Sequence, residues 1–228
     1  MKKLLTAILL LGAASASGQK SFGVKVYQNT DIFDIDYREA GNTTNVNKTN
    51  FNRISLALNL RTKNSLVHEL ELFIPELSKS LENIQYPMDY ELRKGDTFDG
   101  EVSSYSIRYE LSKKLTDETK RFGFTLGAGI NPYYVYIQYF PKVETTYYAS
   151  SELYGFALNI VPRLEYKLSN RFHLDLNIPL KVYDLRGEKI RLDNPAIPIR
   201  QQTSTDGDQI FFESAYTIRL GLMYTLTK

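Results

Sequence analysis

The chain has 228 residues, enough for one barrel-sized domain, with 28 basic and 26 acidic residues and no cysteine. With Lys2 and Lys3 set aside as part of a leader, the basic and acidic groups balance, which leaves no electrostatic footprint for a nucleic-acid partner. The missing thiols exclude disulfides, thiolate metal sites and a lipoprotein anchor. Two histidines at no matched spacing offer no metal site, and no cofactor is expected.

Residues 1–18 have the layout of a secretory signal. Lys2 and Lys3 precede an apolar stretch from Leu4 to Leu11, and small residues follow up to Gly18. The apolar part is too short to span a bilayer as a helix. The mature domain is expected to cover residues 19–228. It contains no further run of 18 apolar residues, so no transmembrane helix is expected.

From there the dominant signal is period-two alternation. The first strand starts near Phe22 with Val24 and Val26 on one face. Phe33, Ile35 and Tyr37 have the opposite parity, which predicts a bulge near residues 28–31. Strand two sets Ile54, Leu56, Leu58 and Leu60 against Arg53, Ser55, Ala57, Asn59 and Arg61. Strand three sets Leu66, Leu70, Leu72 and Ile74 against Val67, Glu69, Glu71 and Phe73. Strand four sets Tyr105, Ile107, Tyr109 and Leu111 against Ser104, Ser106, Arg108 and Glu110. Strand five alternates Phe122, Phe124, Leu126, Ala128 and Ile130 with Gly123, Thr125, Gly127, Gly129 and Asn131. Strand six alternates Phe156, Leu158, Ile160, Pro162, Leu164 and Tyr166 with Ala157, Asn159, Val161, Arg163 and Glu165. Strand seven alternates Phe172, Leu174, Leu176, Ile178, Leu180 and Val182 with His173, Asp175, Asn177, Pro179 and Lys181. Strand eight alternates Tyr216, Ile218, Leu220, Leu222, Tyr224 and Leu226 with Ala215, Thr217, Arg219, Gly221, Met223 and Thr225.

The connections run long, short, long, short, long, short, long: residues 38–50, 62–65, 76–101, 112–121, 132–152, 167–171 and 185–208. That rhythm belongs to an up-and-down barrel with both termini on one side, short turns at the periplasmic end and long loops outside. The fold class expected is all-β, an eight-stranded antiparallel up-and-down transmembrane β-barrel. A soluble lipocalin-like binding barrel in the periplasm would alternate too, with its apolar face inward. Three features favour apolar-out. Charges of both signs crowd the second face: Arg53, Glu69, Glu71, Arg108, Glu110, Arg163, Glu165, Asp175, Lys181 and Arg219. Aromatics (Phe122, Tyr166, Phe172, Tyr224) gather at strand ends, as in interfacial girdles. The signal suits export. Against it stand Pro162 and Pro179, each expected to cost a ladder bond and distort its strand.

The eight alternating strands, and above all Tyr216-Thr-Ile-Arg-Leu-Gly-Leu-Met-Tyr-Thr-Leu, resemble the small outer-membrane β-barrels of Gram-negative bacteria, the OmpX-like porin-family domain. The resemblance covers nearly all of residues 19–228 and implies a bacterial outer-membrane location, outer-membrane lipid around the barrel and delivery by the barrel-insertion machinery. In that family the last strand usually closes on an aromatic residue. Here Tyr224 is the last aromatic and the chain ends Leu226-Thr-Lys. The family has many functions, so fold alone names none.

Two residue sets carry the functional expectations. If Tyr166 faces Phe172, Arg163 faces Asp175 and Glu165 faces His173, all inward. Such charges either form a selectivity constriction or pack into a salt-bridged interior, and a barrel of eight strands is just wide enough to be filled by its own side chains. Packing is the expectation. The aromatic run Tyr133, Tyr134, Tyr136, Tyr139 and Phe140, with Tyr147 and Tyr148, is either a surface platform for a carbohydrate, peptide or protein or an outer aromatic girdle with a hairpin that continues the sheet above the bilayer, and the two are compatible. Residues 188–202, with Pro195 and Pro198, are expected to lean on that hairpin. His68 falls on the outward parity. His173, with Asp175 two residues on, raises a lipid-modifying enzyme, yet it sits at the turn end with no serine partner at a convincing spacing. The chain is therefore expected to be a non-enzymatic protein with a structural or surface-interaction role. The alternatives are a narrow passive channel for small solutes, a lipid-modifying enzyme and the soluble binding barrel.

Overall fold

A computed structural model describes residues 19–35, 38–39, 42–43, 47–62, 64–73, 76–84, 98–117, 120–141, 147–196, 198–212 and 216–227. The leader expected at residues 1–18 lies outside them. Eight long strands follow one another around a closed barrel: β1 (Gln19–Ile35), β2 (Asn47–Thr62), β3 in two pieces (Leu66–Phe73 and Glu76–Ile84), β4 (Phe98–Lys114), β5 (Phe122–Pro141), β6 (Ala149–Lys167), β7 in two pieces (Phe172–Asn177 and Leu180–Leu192) and β8 in two pieces (Thr203–Phe211 and Tyr216–Thr227). Each pairs antiparallel with the next, and β1 closes on β8 from Phe22↔Thr227 to Ile32↔Tyr216. Closure leaves the spanning part without an edge, the condition for a sheet in lipid.

The apolar parity faces out. Leu56, Leu58, Leu72, Ile107, Leu111, Leu126, Ile160 and Leu220 are among many large apolar side chains exposed on the barrel wall. A soluble barrel would bury that face, so the lipocalin-like alternative does not describe this fold. Aromatic pairs mark the turn end, Phe122 with Tyr166 at 4.7 Å and Phe172 with Tyr224 at 5.1 Å between ring centroids. Tyr105 with Tyr134, and Phe156, Tyr183 and Phe211, mark the other. From Phe122 to Tyr134 along β5 is about 30 Å at roughly 3.3 Å per residue and a strand tilt of about 40°, the thickness of a bilayer core.

Several expectations need correction. The strands are longer than the alternation suggested. Residues 132–141 and 149–152 extend β5 and β6, as the reading of a hairpin that continues the sheet has it; beyond that expectation, residues 185–192 and 203–208 extend β7 and β8, and Glu76–Ile84 continues β3 along β4. These outer parts mix polar and aromatic residues on both faces, because above the bilayer neither face meets lipid. The bulge expected near residues 28–31 is absent. β1 runs against β2 from Ser21 to Ile35 without a shift, and its irregularities sit at Phe22–Gly23 and Gln19–Ser21. The β6–β7 register is two residues from the one expected: Asp175 faces Glu165, Asn177 faces Arg163, and His173 faces Lys167. The turn is tighter than assumed. Leu168 and Ser169 both donate their N–H to the Phe172 carbonyl, while the Ser169 hydroxyl accepts from the N–H groups of Arg171 and Phe172.

The two prolines produce one distortion instead of two. Pro162 keeps β6 in register with Leu126 on β5. β7 is interrupted at Ile178–Pro179, directly beside Pro162, where the Ile178 N–H reaches the Pro162 carbonyl at 3.4 Å. The register then slips between Lys181 and Tyr183. Phe212, with φ of 53°, donates to the Val182 carbonyl at this same level. Placing both prolines side by side confines the lost ladder bonds to one patch of wall.

Candidate functional site

Alternation carries the polar parity of every strand into the lumen, where, among the described residues, eight charged groups meet. Four are cationic (Lys25, Arg108, Arg163, Arg219) and four acidic (Glu69, Glu71, Glu110, Asp175), and no side chain among them is more than 7 % exposed. Arg163 grips Glu69 with two hydrogen bonds, of 2.7 and 2.9 Å, and reaches Glu110 at 2.8 Å and Asp175 at 3.2 Å. Arg219 lies 2.6 Å from Glu71 and 3.3 Å from Glu69, donates to the Asn177 amide oxygen at 2.9 Å, and stacks on the Tyr27 ring at 4.2 Å. Lys25 bridges Asp175 at 2.5 Å and Glu69 at 2.7 Å. The Tyr27 hydroxyl, Asn59, Ser55 and Asn177 add neutral donors to these carboxylates.

Charges withdrawn from water are tolerated only when paired and hydrogen-bonded, and an equal count of both signs meets that condition. The barrel wall is shaped to it. Gly221 gives the Tyr27 ring its place, since a β-carbon there would meet ring carbons at 2.4 and 2.5 Å.

The remaining charges lie above and below this layer. Arg53 stacks over the Phe73 ring at 4.9 Å, and the same ring meets Arg108 of the layer at 5.3 Å. Lys181, half-buried, approaches Asp184 at 3.4 Å. Towards the turns, Glu165 pairs with Arg61 at 3.0 Å. The Arg163–Asp175 contact survives the shifted register as a diagonal pair. Lys25 and Tyr27 were not among the residues singled out from sequence, although their parity, opposite to Phe22, Val24 and Val26, carried the signal. Asp184, 2 % exposed and accepting from the Tyr133 hydroxyl at 2.9 Å, lies next to a segment that reads as a loop.

Asp175 is taken by Lys25, Tyr27, Arg163 and Asn177, and His173 faces Lys167. His68 shares a 2.9 Å hydrogen bond with Tyr109 on the outer wall.

The aromatic run does not form one platform. Tyr133 and Tyr139 share the inner parity, Tyr139 being 5 % exposed, while Tyr134 and Tyr136 share the outer one. Burial, with Glu188 nearby, pushes the Tyr139 phenol up to about 12. Phe140 meets Tyr148 edge-to-face at 6.2 Å, and Tyr147 and Tyr148 are exposed beside them at the tip. The 188–202 segment reaches this hairpin where the Asp193 N–H donates to the Tyr148 carbonyl at 2.9 Å.

Fold and lumen define a closed, eight-stranded transmembrane β-barrel whose middle is filled by paired charges. Among solved structures the chain is similar to the outer membrane protein OprG from Pseudomonas aeruginosa, with a TM-score of 0.58 at 12% identity over 92% of this chain and 98% of that one. It is similar to a major outer membrane protein from Thermus thermophilus, with a TM-score of 0.50 at 11% identity over 89% and 99%. E. coli outer membrane protein W gives a TM-score of 0.50 at 12% identity over 90% and 96%. At these identities the likeness is one of fold. No protein-family model and no curated protein matches the sequence.

Proposed function

We propose that the chain is a bacterial outer-membrane barrel with a sealed lumen, exported behind the 1–18 leader and inserted by the barrel-insertion machinery. Its work is structural or interactive, done by the wall in lipid and by the strand extensions and loops outside. The observation that carries this reading is the four-against-four ion cluster across the lumen. A solute path would have to break several desolvated pairs at once, each resisting removal of a single partner by about 3–5 kcal/mol. On the outer side, Phe140, Tyr147 and Tyr148 give a small aromatic tip for a surface carbohydrate or protein. The engagement of Asp175 away from His173 supports a non-enzymatic role.

Planar-bilayer recording of the refolded protein tests the sealed lumen. The parent barrel is expected to give no steady conductance steps, and a charge-balanced Arg219→Ala/Glu71→Ala variant to give them. Steady steps from the parent barrel would replace this reading with the narrow passive channel.

A further inference from the structure

Below the ion cluster, the lumen opens towards the short turns as a pocket of about 220 Å³. Among the described residues its lining includes Arg61, Lys114, Lys120, Arg121 and Lys167, with Glu165 as the carboxylate. That carboxylate is already engaged by Arg61 at 3.0 Å. Asp117, on the same turn, stands outside the lining. The cluster above is charge-balanced, so it supplies nothing to offset the excess. Positive charge inside a low-dielectric, one-ended cleft concentrates its field on whatever anion enters.

The walls are arranged for such a guest. Arg61 is 12 % exposed and spends Nη2 on Glu165, while its buried Nε–H has no hydrogen-bond partner among the described residues. Gly123 leaves room for Lys114 to lie across the wall, where a β-carbon would stand 3.0 Å from Cε and 3.3 Å from Nζ. Guanidinium and ammonium donors converging from several strands suit a group with several acceptor oxygens and more than one negative charge.

We propose that this turn-side mouth binds a phosphate-bearing anion from the compartment it faces. The sealed layer above makes it a socket and not a stage in transport. The phosphate has two sources, a free phosphorylated solute or the headgroup of an anionic lipid in the adjoining leaflet, and both present the same chemistry to Arg61, Lys114 and Arg121.

Amide NMR on the refolded barrel tests it, with pyrophosphate titrated in a zwitterionic detergent at constant ionic strength. Saturable shifts confined to Gly123, His173 and Thr225 are expected, absent with chloride, and weakened at least tenfold in a Lys114→Gln/Arg121→Gln variant. That variant leaves the Arg61–Glu165 pair intact, and unchanged heat-dependent gel mobility checks that it is folded. A second arm uses nanodiscs of phosphatidylcholine with and without phosphatidylglycerol. Shifts at the same amides with phosphatidylglycerol alone would assign the phosphate to lipid and uphold the site. No saturable shift in either arm, equal shifts with chloride, or indifference to the double substitution would overturn it. Bilayer conductance decides the sealed lumen separately.

Discussion

Arg163 on β6 and Glu69 on β3 face each other across the lumen with two parallel hydrogen bonds, of 2.7 and 2.9 Å, and neither side chain is more than 1 % exposed. The guanidinium also serves Glu110 and Asp175, so it contacts three carboxylates at once, with Lys25 and Arg219 sharing their compensation. Arg163→Met is expected to cost about 3–5 kcal/mol by leaving buried negative charge uncompensated. Arg163→Met/Glu110→Gln restores the balance of charges and should cost less than the single change. The urea midpoint of the folded, fast-migrating gel band reads both. A double variant as unstable as the sum of its parts would refute charge balance as the basis of the filling.

Gly221 offers a steric test. Its missing side chain is the space that Tyr27 occupies, and Tyr27 in turn supports Arg219 and two carboxylates. Gly221→Ala should destabilise by about 1–3 kcal/mol through overpacking. Gly207→Ala, whose new methyl would find its nearest atom at 3.8 Å, should stay within about 0.5 kcal/mol of the parent. Equal urea midpoints for the two variants would show that the Tyr27 contact is not rigid.

The eight strands and their polar faces were legible because lipid and lumen impose opposite chemistry on alternate residues. The limits of legibility were local. The lumen positions of Lys25 and Tyr27 are obscured in the sequence because Phe33, Ile35 and Tyr37 change parity and suggest a bulge. The β6–β7 register depended on the Ser169 hydroxyl tightening the turn, which alternation does not encode. The outer strands read as loops because Tyr133 to Phe140 carries apolar groups on both faces. Pro162 and Pro179 were legible as a cost, but their adjacency was not, since it follows from the register. Hydrogen exchange follows from that adjacency. The Ile178 amide, at 3.4 Å from its acceptor, should exchange faster than those of Leu174 and Leu176 in the intact ladder. Equal protection across Leu174–Leu180 would contradict the interruption.

Tyr139 lies on β5 beyond the outer aromatic ring, clear of the bilayer. Its phenol is held up to about 12 by burial and by Glu188. The unfolded chain ionises near the ordinary value of about 10. The neutral phenol's stabilisation is therefore complete below about pH 10 and is lost as pH rises towards 12, by on the order of 2 kcal/mol. Tyr139→Phe should flatten that part of the stability profile. Chemical denaturation at about pH 9, 10, 11 and 12 gives the comparison, and parallel profiles for the two proteins would remove the argument.

Ile160 tests the wall itself. It is 44 % exposed on the outer face and pairs with Ala128, midway along β5 between the aromatic positions Phe122 and Tyr134. If that face meets hydrocarbon, Ile160→Arg buries a guanidinium at the midplane and should cost about 2–4 kcal/mol. Tyr154→Arg, on the same face of β6 near the outer ring, should cost only about 0–1 kcal/mol, because the side chain reaches the headgroups. Folding titrations in lipid vesicles measure both. A depth-independent cost would mean the exposed apolar band is covered by something other than a bilayer. A cost that falls from Ile160 to Tyr154 would locate the hydrocarbon between the two aromatic rings, with the ion cluster inside it and the basic mouth at its turn-side edge.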